Sequence, residues 1–176
     1  MENFSSSSEN NILPLRAGQS APNFHLSTTE SQASKKISLH DFRGLPVVLV
    51  FYPSDWSPIC GNLLAHYNKI MPQFRQHQAR LLGISVDSYW SHMAFSKNNN
   101  LTFPLLSDFE PKGSVAKAYG VFDVNSGVSL PALFIINPQG RVHWSHLSLH
   151  EGIPGTRELL NTLDLLPKQL CYQAST

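Results

Sequence analysis

The chain has 176 residues, enough for one domain with its own hydrophobic core. Its 13 Lys and Arg against 12 Asp and Glu leave a net charge of +1, which gives no electrostatic footing for nucleic acid or an acidic membrane surface. Charged residues make up 14%, below the roughly 25% of an average protein, so long-range steering of a charged substrate is weak.

In chain order, residues 1–14 are Ser- and Asn-rich with little to bury, and read as a disordered tail. A domain over 15–170 follows, then a short tail over 171–176. Phe24–Leu26 and Lys36–Leu39 are short strand candidates, and Leu39–Gly44 reads as a turn. Pro46–Phe51 is an unbroken run of β-formers that predicts a buried central strand. Residues 59–79 carry Leu63, Tyr67, Ile70 and Phe74 at helical spacing, with a kink expected at Pro72. Arg80–Val86 is a second buried strand, Asp87–Asn98 a second helix, Phe103–Leu106 a short strand and Lys112–Tyr119 a third helix. Leu133–Ile136 and Val142–Ser145 pair across Asn137-Pro-Gln-Gly140, and residues 154–166 form a last helix stopped by Pro167. The alternation predicts an α/β fold with a central mixed β-sheet flanked by helices.

The N-terminus has neither the basic nor the apolar region of a signal peptide, and no stretch reaches the ~20 apolar residues that span a bilayer. The expectation is a cytoplasmic protein without membrane or nucleic-acid partners. Two cysteines, Cys60 and Cys171, are too few for a disulfide framework.

The segment Phe51-Tyr-Pro-Ser-Asp-Trp-Ser-Pro-Ile-Cys60 concentrates the chemistry. It delivers Cys60 from the end of a buried strand into the first turn of a helix, where free N–H groups and the helix dipole favour a thiolate. Pro53 stands seven residues before Cys60 and Ser57 three before it. This spacing resembles the P-x-x-x-[TS]-x-x-C signature of the peroxiredoxins, the AhpC/TSA branch of the thioredoxin-fold superfamily. Three further blocks resemble the family in the same order: Leu82–Asp87, Phe103–Asp108 with Val115–Val121, and Leu133–Gly140. The Asp-Trp-Ser-Pro-Ile-Cys-Gly variant is most similar to the AhpE and bacterioferritin-comigratory-protein side of that family.

The resemblance implies a thioredoxin-like fold and a thiol-dependent peroxidase that uses no cofactor and no metal. A thiolate attacks the terminal peroxide oxygen and becomes a sulfenic acid. By resemblance Cys60 is the peroxidatic nucleophile and Ser57 offers a hydroxyl to thiolate and peroxide. Pro53 shields the pocket, and the backbone amides near Ile59 and Cys60 complete it. Trp56 reads as a pocket wall or a dimer-surface aromatic, leaving a homodimer open. The implied partners are a peroxide and, as reductant, a thioredoxin-like protein or a low-molecular-weight thiol.

Three positions depart from the family pattern. The arginine that faces the thiolate is replaced by Pro131, which stands where other thioredoxin-fold enzymes carry a cis-proline. Leu63 occupies the site of a frequent Glu or Gln, and Ser91 that of a resolving cysteine in some members. Losing the guanidinium removes a cation beside the thiolate and a donor to the transition state. The alternative function is therefore a degenerate member that senses oxidation or exchanges disulfides with little turnover. Cys171 lacks the Val-Cys-Pro setting of a C-terminal resolving cysteine and reads as a free tail thiol, with a resolving role as the lesser alternative.

The remaining candidates read as structural. His143 and His146 lie an odd number of strand residues apart and point to opposite faces, which with His150 argues against a metal site. His66 turns away from Cys60 on a helical period and reads as a surface residue. Arg43 and Arg141 are the nearest substitutes for the missing guanidinium by sequence, and neither is well placed.

Overall fold

The structure, a computed structural model, describes residues 12–30, 35–148 and 156–166. Nine strands are described: β1 His25–Thr28, β2 Lys36–Ser38, β3 Val47–Phe51, β4 Arg80–Ser85, β5 Leu105–Ser107, β6 Phe122–Asp123, β7 Val128–Ser129, β8 Ala132–Ile136 and β9 Val142–Leu147. Five α-helices accompany them: α1 Pro58–Lys69, α2 Met71–Gln76, α3 Tyr89–Asn98, α4 Ser114–Ala118 and α5 Thr156–Asp164, and the segment Leu39–Phe42 forms one turn of 3-10 helix. Seven strands form one mixed sheet in the order β2-β1-β5-β4-β3-β8-β9, and β6 pairs with β7 in a separate two-stranded sheet.

β3 is buried at every position because both faces of the sheet are covered. Val47, Leu49 and Phe51 join Tyr119, Phe134 and Val115 on one face. Val48, Val50 and Tyr52 join Leu64, Tyr67, Phe74, Phe95 and Leu159 on the other, and Cys60 belongs to this second core. β4 runs parallel to β3 and β8 antiparallel, with Phe51 opposite Ala132. Extending that register sets Pro131 beside the exit of β3, the end from which the chain leads to Cys60.

Gly83 lies in β4 beside Tyr52. A Cβ there would meet Leu105 Cδ2 at 2.6 Å, so Leu105 would have to shift, while the Tyr52 ring at 3.4 Å would lie in ordinary contact.

Several boundaries differ from the sequence reading. The helix expected over 59–79 is two helices separated at Ile70, with Pro72 in the first turn of α2. Proline has no N–H for the carbonyl of residue 68 and its ring crowds that carbonyl, so the backbone resets instead of kinking. The strand expected over Phe103–Leu106 is shifted to Leu105–Ser107, because it must match Gly83–Ser85 of β4 and Ser27–Thr28 of β1. The β6–β7 hairpin was not anticipated: two-residue strands carry no readable alternation, and the Asp123 carboxylate, which accepts from Asn125 N and Ser126 Oγ, shapes its turn. The start of the last helix, its Pro167 stop and Cys171 lie outside the described residues.

Gly83→Ala is expected to destabilise the fold by about 1–3 kcal/mol through overpacking. A lowered urea midpoint at constant m-value would be the signature, and an unchanged midpoint would show that Leu105 yields without cost.

Candidate active site

Cys60 is the third residue of α1 and only 3% exposed. Ser57 is the N-cap, with extended backbone angles, and Pro58 opens the helix where its missing N–H costs nothing. The N–H groups of Ile59 and Cys60 have no carbonyl one turn before them within α1, so they remain available to an anion or a polarised oxygen at the helix mouth. The Ser57 carbonyl accepts from Gly61 N at 2.9 Å, while its hydroxyl makes no capping bond. That hydroxyl is free for another acceptor. Half-buried Pro53 begins the loop at the end of β3.

Ile59 and Trp56 are exposed, at 62% and 57%. Their apolar surface flanks the segment that carries the thiol. Trp56 does more than line a wall: its Nε1–H donates to Ser91 Oγ at 3.1 Å, and its ring packs edge-on against Phe95 of α3.

The structure brings together two positions that the sequence had flagged separately. Pro131 and Leu63, far apart in the chain, line one cavity of about 20 Å³ with Val50, Phe51, Tyr67, Ala132, Leu133 and Ser148. The walls are mainly apolar. Tyr67 is fully buried, its hydroxyl has no hydrogen-bond partner among the described residues, and burial pushes its pKa well up. The Leu130–Pro131 peptide is trans, so Pro131 does not reproduce the cis-proline geometry.

No arginine has moved in to compensate among those whose contacts are described. Arg43 donates to the Gln139 carbonyl and Arg141 to the Gly18 carbonyl, while Arg80 lies over Phe42. Arg80 and Ile136 pair with Val47, at the far end of β3 from Cys60. His66, expected at the surface, is half-buried: its Nε2 lies 2.5 Å from Thr156 Oγ1 and ties α1 to α5. Among the described residues no group of three or more His, Cys, Asp or Glu is arranged to hold a metal ion, and no helix is long and apolar enough to cross a membrane.

The sequence reading missed a polar network behind the loop. Asp55 and His92 are both fully buried, with His92 Nδ1 at 2.9 and 3.0 Å from the two Asp55 carboxylate oxygens. Tyr52 Oη donates to Asp55 Oδ1 at 2.8 Å and Ser91 Oγ donates to Oδ2 at 2.7 Å. His92 Nε2 lies 3.1 Å from the Leu106 carbonyl. The Asp55 N–H donates to Asp87 Oδ2, which also accepts from Ser85 Oγ. Burial first, and the Asp55 charge second, raise the Tyr52 pKa well above its ordinary value. Asp55 sits inside the quoted ten-residue segment, but nothing in the sequence pairs it with a histidine 37 residues away.

Comparison with known proteins places this geometry among relatives. The AhpC/TSA family pattern matches residues 17–145. The chain is 33% identical over 134 residues to alkyl hydroperoxide reductase E of Mycobacterium tuberculosis, covering 76% of this chain and 86% of that protein. It is 30% identical over 173 residues to the chloroplastic 2-Cys peroxiredoxin BAS1 of Arabidopsis thaliana, covering 90% of this chain and 64% of that one. Among solved structures, the reduced 2-Cys peroxiredoxin of Plasmodium vivax superposes with a TM-score of 0.77 at 29% identity, over 86% of this chain and 81% of that one.

Since the Ser57 hydroxyl makes no cap bond, Ser57→Ala should cost under about 0.5 kcal/mol of stability, less than an ordinary cap deletion. Any larger fall in Cys60 reactivity is then chemical. A thermal midpoint lowered by as much as a true cap loss would show that the hydroxyl is holding the helix instead.

Proposed function

This chain belongs to the AhpC/TSA family, and on that footing we propose that it is a thiol-dependent peroxidase reducing hydrogen peroxide or organic hydroperoxides through Cys60. One observation carries the assignment of the site: a buried thiol in the first turn of α1, whose N-cap Ser57 has a hydroxyl not spent on capping.

In this reading the Cys60 thiolate attacks the terminal oxygen of the peroxide. A sulfur–oxygen bond forms, the O–O bond breaks, and the departing oxygen leaves as water or alcohol after taking a proton. The sulfur is oxidised to sulfenic acid while the peroxide is reduced. Ser57 Oγ and the N–H groups of Ile59 and Cys60 orient the peroxide and receive charge on its oxygens. Pro53 keeps bulk water from the sulfur, and the exposed apolar surfaces of Trp56 and Ile59 suit an organic hydroperoxide. The cycle closes when a thiol, from a thioredoxin-like protein or a small molecule, attacks the sulfenic acid to give a mixed disulfide and water. A second thiol then releases Cys60.

The second reading, a redox sensor or disulfide-exchange protein with little turnover, is favoured by one observation. Pro131 and Leu63 together line an apolar cavity where the family has an arginine and often an acid or amide. The loss is paired, so restoring one partner alone would set a charge against an apolar wall.

Two measurements separate the readings. With the reduced protein at neutral pH, sulfenic acid on Cys60 followed by intact mass is expected to form at least about a hundredfold faster than on a free small thiol. Cys60→Ser serves as the blank, and a rate equal to the free thiol would select the sensor reading. The double variant Pro131→Arg with Leu63→Glu is expected to accelerate this step by about tenfold or more, and Pro131→Arg alone by less. Equal rates in all three proteins would mean that the cavity is remote from the reacting sulfur.

A further inference from the structure

We infer that the buried Asp55–His92 pair is a latch that holds the Pro53–Ser57 loop closed, keeping the Cys60 thiol sheltered and aligned and setting how readily it becomes accessible to a second thiol. The pair is hydrogen-bonded on every side described. His92 Nε2 lies against the Leu106 carbonyl, which can only accept, and Nδ1 faces both Asp55 oxygens, which also accept from Tyr52 Oη and Ser91 Oγ. Tyr52 Oη is itself 3.4 Å from Nδ1, so the three side chains form one closed cluster.

The placement of the pair gives it a role. Between the end of β3 and the start of α1 the chain runs without regular structure through residues 52–57. It is fastened to the 85–92 segment and β5 at three atoms: the Asp55 carboxylate through His92 and Ser91, the Asp55 N–H through Asp87, and the Trp56 indole through Ser91. These atoms lie between Pro53 and Ser57, the residues that frame the thiol. Disulfide formation needs sulfurs about 2.05 Å apart with Cβ atoms near 3.8 Å. A thiol 3% exposed cannot meet that geometry with a large partner unless the loop moves. The latch thus opposes two demands: closed, it aligns Cys60 for a small peroxide; open, it admits a thiol. Ser91, at the position where some relatives have a resolving cysteine, serves here as a strut of the closed state.

The test uses the full chain with Asp55→Asn, His92→Gln, the double variant and Ser91→Ala. Two rates are read on Cys60 at 25 °C: alkylation by iodoacetamide, which reports opening, and oxidation by hydrogen peroxide, which rests on the peroxidase reading. Each single variant breaks the hydrogen bonding between two fully buried side chains, so alkylation should rise about tenfold or more while oxidation falls. The double variant, an amide pair that can hydrogen-bond to itself, should return both rates part of the way to the wild-type values. If these variants do not fold, Ser91→Ala removes one strut and leaves the Asp55–His92 contact in place, and should still raise alkylation about two- to fivefold. A lower unfolding midpoint with both Cys60 rates unchanged would overturn the proposal and leave the pair purely structural. If wild-type oxidation matches a free thiol, the peroxidase reading falls, and the alkylation contrast still decides the latch.

Discussion

The structure depends on burying β3 on both faces. A five-residue strand with no solvent-facing position must be paired on both edges and covered on both sides, which β4, β8 and the two hydrophobic cores accomplish. Its end is then the place where the chain can leave the sheet, and everything chemical follows from that exit. The loop 52–57 turns back over the second core, α1 starts at Pro58, and Cys60 falls on the inward face of its first turn. The thiol is buried because the strand before it is buried.

The surroundings of that thiol divide polar from apolar matter in an unusual way. Beside β3 on the β8 edge, Pro131 and Leu63 meet over a small, mainly apolar cavity where the Tyr67 hydroxyl has no partner among the described residues. Beyond the β4 edge, the loop is backed by a saturated polar network built on Asp55 and His92. Arg43, Arg80 and Arg141 are occupied at the opposite end of the strand. Among the described residues, the mouth of α1 thus presents backbone N–H groups and the Ser57 hydroxyl, and these three arginines are engaged elsewhere.

A buried polar cluster adds little net stability, since desolvating its groups offsets most of what their hydrogen bonds return. What it supplies is a single arrangement, because removing any one member leaves the others without partners.

Much of this was legible in the sequence. The buried strand Pro46–Phe51, the Asn137–Gly140 turn and the Pro53–Ser57–Cys60 spacing are local patterns, and local patterns are what a linear reading detects. The departures at Pro131 and Leu63 were legible too, as single positions against a family pattern. That they share one cavity follows from the register of β8 on β3 and the rotation of α1, which bring residues 63 and 131 together. The helix break at Ile70, the shifted β5 and the β6–β7 hairpin escaped because backbone resets and partner strands set them, not periodicity. The sequence by itself determined the fold class and the place of Cys60 at a helix mouth, since both rest on local patterns. Only the tertiary structure decided what surrounds Cys60. The Asp55–His92 contact spans 37 residues, and no one-dimensional spacing encodes which buried side chain will meet which partner.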